Sequence, residues 1–187
     1  LHDIAFVYEA QGKYAEALSR YHRALEMLEA TLGPNHPDIA VSLNNIALLY
    51  EVQGDYAEAL PRHQRALEIS ETALGPGHPN VANNLNSLAT FYLSQDNYAE
   101  ALPRYQRALA IFEATLDPNH PYIANNLNNL AVLYQTQGNQ EQATIYLQRA
   151  AKIEEANLSN FLISGSESER QLYLNTFRGT TNTMVSL

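Results

Sequence analysis

The sequence contains no cysteine. That removes disulfides, thiolate metal sites and cysteine nucleophiles, without assigning a compartment. Charge is also scarce, at 17% of 187 residues, against a usual share of about 25%. Positive charge is the scarcer sign: 11 Lys and Arg stand against 20 Asp and Glu, for a net charge of −9. Phosphate contacts supply most nucleic-acid affinity and need a basic surface, so no nucleic-acid partner is expected. The same shortage argues against a polybasic membrane-surface role. No apolar run approaches the ~18 residues that a membrane-spanning helix needs, so no membrane partner is expected either. Sustained two-residue alternation is missing as well, which predicts no sheet. The chain opens on Leu1 rather than Met and has no signal peptide. It therefore reads as a piece of something longer, with cytoplasmic residence as the default.

What the sequence does contain is itself, repeated. Apolar residues make up 45% and Asn occurs 18 times. Shifted by 42 positions, residues 43–84 and 85–126 match at 25 of 42 places without a gap. Leu1, Leu43, Leu85 and Leu127 form one row, and Ala5, Ala47, Ala89 and Ala131 another. Tyr8, Tyr50, Tyr92 and Tyr134 form a third, and Ala24, Ala66, Ala108 and Ala150 a fourth. Self-similarity at this period signals a solenoid or a propeller.

Spacing inside one unit decides between them. His36-Pro37 opens a helix, because proline suits a first helical position whose N–H is unbonded anyway. Leu43, Ile46, Ala47 and Tyr50 follow on one helical face. Gly54 ends this helix, and Asp55 with Glu58 forms a capping box for the next. Tyr56, Ala59, Leu60, His63, Ala66 and Leu67 give that second helix its apolar face, and Gly75-Pro76 closes it. Each unit is thus two antiparallel helices of about 17–20 residues. Alanine fills the rows where helix axes approach most closely.

The pattern Leu43-x-x-Ile46-Ala47-x-x-Tyr50, then Gly54, Tyr56, Ala59 and Ala66, resembles a tetratricopeptide repeat. Its 42-residue length, its Leu-Asn-Asn run and its Gly-Pro-x-His-Pro turn resemble the kinesin light chain type. The resemblance implies an all-α, right-handed solenoid of stacked antiparallel helix pairs. It covers residues 1–156 as four units: a truncated 1–36, then 37–78, 79–120 and 121–156. Residues 157–187 are expected to be a helical extension or cap. Unit four drifts, with Gln140, Glu141 and Thr144 where Tyr, Ala and Leu stood before.

Opposite the apolar face of the first helix of unit two lie Val41, Asn44, Asn45, Leu48 and Val52. The equivalent places hold Asn83, Asn86, Ser87, Thr90 and Ser94 in unit three, and Asn125, Asn128, Asn129, Val132 and Thr136 in unit four. In the family such a surface is a concave groove that holds an extended peptide. An Asn amide donates and accepts, so it can pair with a peptide N–H and C=O together. The candidate groove is therefore Asn44, Asn45, Leu48, Asn83, Asn86, Ser87, Asn125, Asn128, Asn129 and Val132. The plainer alternative is that Asn solvates an exposed face or bonds the neighbouring helix. Groove places lack Lys and Arg and include Glu9 and Glu51, so an uncharged or mildly basic protein segment is the expected ligand.

Other candidates read as structural. His36, His78 and His120 precede proline in equivalent turns, too far apart to share a metal. His63 stands in a row with Tyr21, Tyr105 and Leu147 and reads as a core or boundary residue. Glu16–Arg20, Glu58–Arg62 and Glu100–Arg104 have the favourable i,i+4 order. Pro61 and Pro103 should bend their helices. No catalytic constellation, metal site or cofactor motif is present, so the chain is not expected to be an enzyme.

The tail carries a capping box at Ser166 and Glu169 and apolar Leu172, Leu174, Phe177, Met184 and Val185. Gly165-Ser166-Glu167, Arg170, Tyr173-Leu174 and Met184-Val185-Ser186-Leu187 resemble the junction into a CHAT domain, a caspase-like fold often found in bacteria. That resemblance implies an alternative role as the regulatory repeat arm of a larger protease whose catalytic domain lies elsewhere. A second alternative is a self-assembly scaffold, with homodimers joined through exposed solenoid ends.

Overall fold

The computed structural model describes residues 7, 8 and 10–164, the last three through their backbone alone. Residues 7, 8 and 10 are helical, and seven helices follow: α1 (Tyr14–Leu32), α2 (Pro37–Val52), α3 (Tyr56–Leu74), α4 (Pro79–Ser94), α5 (Tyr98–Thr115), α6 (Pro121–Thr136) and α7 (Gln140–Ser164). Among the described residues there is no strand. The even-numbered helices, called A here, pair most extensively with the B helix that follows, giving α2–α3, α4–α5 and α6–α7. Each A helix also packs on the preceding B helix, which stacks the pairs into a right-handed solenoid.

Local chemistry sets the boundaries. All three A helices start at proline, after a histidine in extended conformation. The histidine Nδ1 accepts from the backbone N–H two residues on: Asp38 at 3.3 Å, Asn80 at 3.1 Å and Tyr122 at 3.2 Å. This meets one of the donors a helix start leaves open, and it accounts for the three His-Pro turns. Helices α3 and α5 begin with a side-chain cap, which α1, preceded by Lys13, lacks: Asp55 Oδ1 accepts from Glu58 N–H, and Asn97 Oδ1 from Glu100 N–H, each at 3.3 Å. The A-to-B turn needs a left-handed residue. Gly54 supplies it at φ 77°, whereas unit three uses Asp96 at φ 56°.

Helix α7 is the exception in length. It runs 25 residues and crosses residue 156 without a break. The segment after 156 has neither glycine nor proline before Gly165, so nothing local ends the helix there. Asn157 Nδ2 donates to the Asn119 carbonyl at 2.8 Å, tying this extension to the turn before α6. The capping box at Ser166 and Glu169, the apolar residues after it and the CHAT-like motif lie outside the described residues, as do Leu1, Ala5 and Glu9.

The core follows the alanine rows. Ala59, Ala101, Ala66, Ala108, Ala47, Ala89 and Ala131 are wholly inaccessible, so backbones approach closely where helices cross. The A helices bury a second stripe beside the one that meets their own B helix. Ser42, Ile46 and Leu49 lie on it in unit two, Asn84, Leu88 and Phe91 in unit three, and Asn126, Leu130 and Leu133 in unit four. Outside, successive B helices are linked by one repeated ion pair: Arg65 to Glu29 at 2.8 Å, Arg107 to Glu71 at 2.6 Å, and Arg149 to Glu113. Each is partly exposed and adds at most about 1 kcal/mol. The expected i,i+4 pairs form at Arg62–Glu58 and Arg104–Glu100, with the guanidinium groups over the Tyr50 and Tyr92 rings.

Candidate functional site

The A helices touch one another directly, α2 to α4 and α4 to α6. They form the inner layer, and their free side makes one surface. Between α2 and α4 it dips into a cleft of about 230 Å³. Val41, Asn45, Leu48, Asn83 and Ser87 wall the cleft, with Asn44, Asn84 and Ser70 at its base. Three aliphatic side chains of α2 stand about half exposed along this surface: Val41 at 54%, Leu48 at 44% and Val52 at 58%. On α6 the exposed aliphatic is Val132.

The sequence-derived candidates divide into two groups. Asn45, Asn83 and Ser87 are half-buried in the cleft, and Leu48, Asn125 and Val132 are exposed. Asn44, Asn86, Asn128 and Asn129 instead bond neighbouring elements. Asn44 Nδ2 donates to Asn84 Oδ1, and its Oδ1 lies 2.8 Å from His63 Nδ1. Asn86 Oδ1 accepts from Asn126 Nδ2 at 3.0 Å and from Asn129 Nδ2 at 3.1 Å. Asn128 Nδ2 donates to Glu154 Oε1 on α7 at 3.2 Å. Three of the seven candidate asparagines, Asn44, Asn86 and Asn129, therefore belong to a ladder that joins one A helix to the next.

Asn84 and Asn126, only 5% and 0% exposed, are the ladder members the sequence reading left out. Their signal was present: each sits at i with Leu at i+4 and Phe or Leu at i+7, a polar residue on an apolar row. Asn84 Nδ2 donates to the Ala66 carbonyl at 3.2 Å and to Ser70 Oγ at 2.5 Å. Asn126 keeps one acceptor, Oδ1, without a hydrogen-bond partner in the interior.

No charged residue lines the α2–α4 cleft. Glu51 turns inward: its side chain is 15% exposed, and its Oε1 lies 2.7 Å from Nε2 of His63, whose side chain is wholly buried. In the same row Tyr105 is buried with its hydroxyl 2.9 Å from Thr90 Oγ1, and burial holds its phenol above the usual range. His22 is half-buried, with Nε2 3.4 Å from the Tyr50 hydroxyl. Desolvation first, then the Arg62 charge, hold its imidazole below the usual value of 6.5. Among the described residues no group of three His or carboxylate side chains is placed to hold a metal. No described helix is long and apolar enough to cross a membrane.

Comparison with known proteins agrees with this architecture. The chain resembles BtubC (BKLC) of P. vanneervenii, with a TM-score of 0.74, 24% identity and coverage of 83% of this chain. It spans 62% of that protein's length. It also resembles a Podosopora anserina protein assigned as a kinesin light chain with nearly identical TPR-like repeats. Two structures of that protein give TM-scores of 0.73 and 0.72 at 22% and 23% identity, covering 100% and 98% of this chain and 95% and 94% of theirs. At such identities the likeness establishes the fold. The tetratricopeptide repeat family profile matches residues 1–72, 38–114 and 81–156, in phase with the helix pairs, and the chain belongs to the tetratricopeptide repeat family.

Proposed function

We propose that this chain is a non-enzymatic module that holds an extended, uncharged or mildly basic segment of a partner protein against its A helices. Tetratricopeptide repeats are in general protein–protein interaction modules, and the finer assignment rests on one observation. The α2–α4 cleft combines half-exposed Val41 and Leu48 with Asn45, Asn83 and Ser87, and no charged residue lines it. Aliphatic contacts of this kind exclude water around a peptide side chain. Amides beside them bond the peptide backbone at about 0.5–1.5 kcal/mol each, so several must act together. Asn125 and Val132 continue the same chemistry on α6. Ordering the segment costs a few kcal/mol, which sets micromolar binding as the expectation. A cytoplasmic setting belongs to the same reading.

The test is selection from a random peptide display library against the intact chain and an Asn45→Arg, Asn83→Arg double variant of equal helicity. Peptides that bind the intact chain and lose at least ten-fold in the variant support the groove. Peptides indifferent to both substitutions refute it and move the interaction elsewhere. The regulatory-arm and self-assembly readings rest on segments outside the described residues, and no contact among the described residues favours either.

A further inference from the structure

Where units one, three and four carry Tyr21, Tyr105 and Leu147, unit two carries His63. Its side chain is fully enclosed, with an oxygen at each ring nitrogen. The hydrogens of this cluster can be assigned by starting from a group that has none to give. The Ala66 carbonyl accepts only, so Asn84 meets it with its amide nitrogen. Asn84 Oδ1 is thereby turned toward Asn44, whose Nδ2 must donate to it. Asn44 then presents Oδ1 to His63 Nδ1 at 2.8 Å, so Nδ1 carries a hydrogen. The remaining ring nitrogen, Nε2, lies 2.7 Å from Glu51 Oε1. Two bare lone pairs do not sit at that distance, so a second hydrogen lies between them.

We propose that His63 and Glu51 together hold one proton more than a neutral imidazole and a free carboxylate, and that this proton latches unit two to unit three. On Nε2 it makes an imidazolium–carboxylate pair, and on Oε1 a carboxylic acid donating to imidazole. Either way the pair is neutral overall, which suits its enclosure. The latch runs Glu51–His63–Asn44–Asn84–Ser70, from α2 to α3, back to α2, across to α4 and back to α3. Little else charged competes for the proton. From α4 the ring meets Phe91, at 5.9 Å between centroids. On α3 itself Arg62 pairs with Glu58 and lies over Tyr50. On α1 the His22 ring meets the Tyr50 ring at 6.4 Å between centroids. Loss of the proton sets the carboxylate against a bare Nε2. Glu51, the partner with some access to water, must then turn out, and Asn44 loses the ring that fixes its amide.

The test is nitrogen and carbon NMR of the intact chain, labelled on His and Glu, at a pH of about 8, where a free imidazole is largely neutral. His63 is assigned among the six histidines by through-bond correlation to its backbone. The expected result is a hydrogen on both ring nitrogens of His63, or a hydrogen on Nδ1 with a protonated Glu51 carboxyl. A ring with a single hydrogen, on either nitrogen, together with an ionised Glu51 overturns the proposal. In Glu51→Gln the new amide can donate to Nε2, so the ring is expected to revert to the neutral Nδ1–H form. A doubly protonated ring in that variant also overturns it. Raising the pH until the proton leaves is expected to speed amide exchange at the α2–α4 contact, after correction for the intrinsic rise with pH, and to spare α4–α6. Equal acceleration at both contacts overturns the latch.

Discussion

The junction between units two and three and the junction between units three and four use the same backbone rows with different chemistry. In the first, His63, Glu51, Asn44, Asn84 and Ser70 form a continuous polar chain. In the second, the rows of His63, Glu51 and Ser70 hold Tyr105, Leu93 and Phe112. Tyr105 turns its hydroxyl to Thr90, which stands in the row of Leu48. Three polar groups have been exchanged for largely apolar ones together, and only Asn126 retains an unmet oxygen. Buried polar clusters are stable when every member is satisfied and costly when one is missing. Units of one solenoid can therefore diverge by whole sets of partners far more easily than by single residues.

The largest effect should come from breaking the set. His63→Leu strands Glu51 and the Asn44 oxygen together, and it is expected to cost about 2–4 kcal/mol in chemical denaturation, the lower end applying if Glu51 escapes to water. Importing the unit-three set as His63→Tyr, Glu51→Leu, Ser70→Phe and Leu48→Thr should bring stability back to within about 1 kcal/mol of the parent. A quadruple variant as weak as His63→Leu would show that the two junctions are not interchangeable.

A smaller contrast separates equivalent asparagines. Asn84→Leu leaves the Ala66 carbonyl, Ser70 and Asn44 without their shared partner and should cost about 2–3 kcal/mol. Asn126→Leu removes one bond to Asn86, which keeps Asn129, and also removes the orphaned oxygen, so its cost should stay below about 1 kcal/mol. Equal losses in urea unfolding would erase the proposed difference between the junctions.

The limits of the sequence reading follow from the same contrast. Period, helix pairing and caps are local features, written in Pro37, Gly54, Asp55 and their copies, and the structure reproduces them. The groove candidates are the residues that do not face the helix's own partner. A solenoid A helix has two partners, and its second buried stripe, with Asn84 and Asn126 on it, meets the preceding unit. One unit viewed alone cannot tell an asparagine that faces solvent from one that faces a neighbour. Asn44 and Asn86 are expected in the groove as partners of a bound peptide; in the structure their amides bond His63, Asn84, Asn126 and Asn129, the plainer alternative of a bond to a neighbouring helix. Glu51 counts as a groove charge in sequence and is turned inward by His63, a residue twelve positions away.

A milder difference lies in the A-to-B turns. Unit two places Gly54 at the left-handed position and unit three places Asp96 there, with its carboxylate accepting from the Tyr98 hydroxyl at 2.8 Å. Relief of the backbone strain outweighs an exposed hydrogen bond, so Asp96→Gly is expected to raise stability by about 0.5–1 kcal/mol. Gly54→Asp should lower it by a similar amount, and thermal unfolding of both variants checks the symmetry. A fall in the melting temperature of Asp96→Gly would mean that the Tyr98 contact outweighs the backbone term.

The smallest effect distinguishes the histidines of α1 and α3. His63 has an oxygen at each ring nitrogen, whereas the His22 ring has a long contact to the Tyr50 hydroxyl and Arg62 nearby. Burial and that positive charge outweigh the pull of Glu26 and Glu58 and lower the His22 pKa below 6.5. The unfolded chain, with its ordinary imidazole, takes up the proton first as pH falls. Stability contributed by neutral His22 is therefore complete above pH 6.5 and is lost as pH drops toward the lowered folded value. His22→Gln keeps a polar group facing Tyr50 and removes the titration. Melting temperatures followed from about pH 7 to pH 5 should decline less steeply in this variant than in the parent. Parallel curves would show that the ring is open enough to solvent for its protonation to be felt equally in both states.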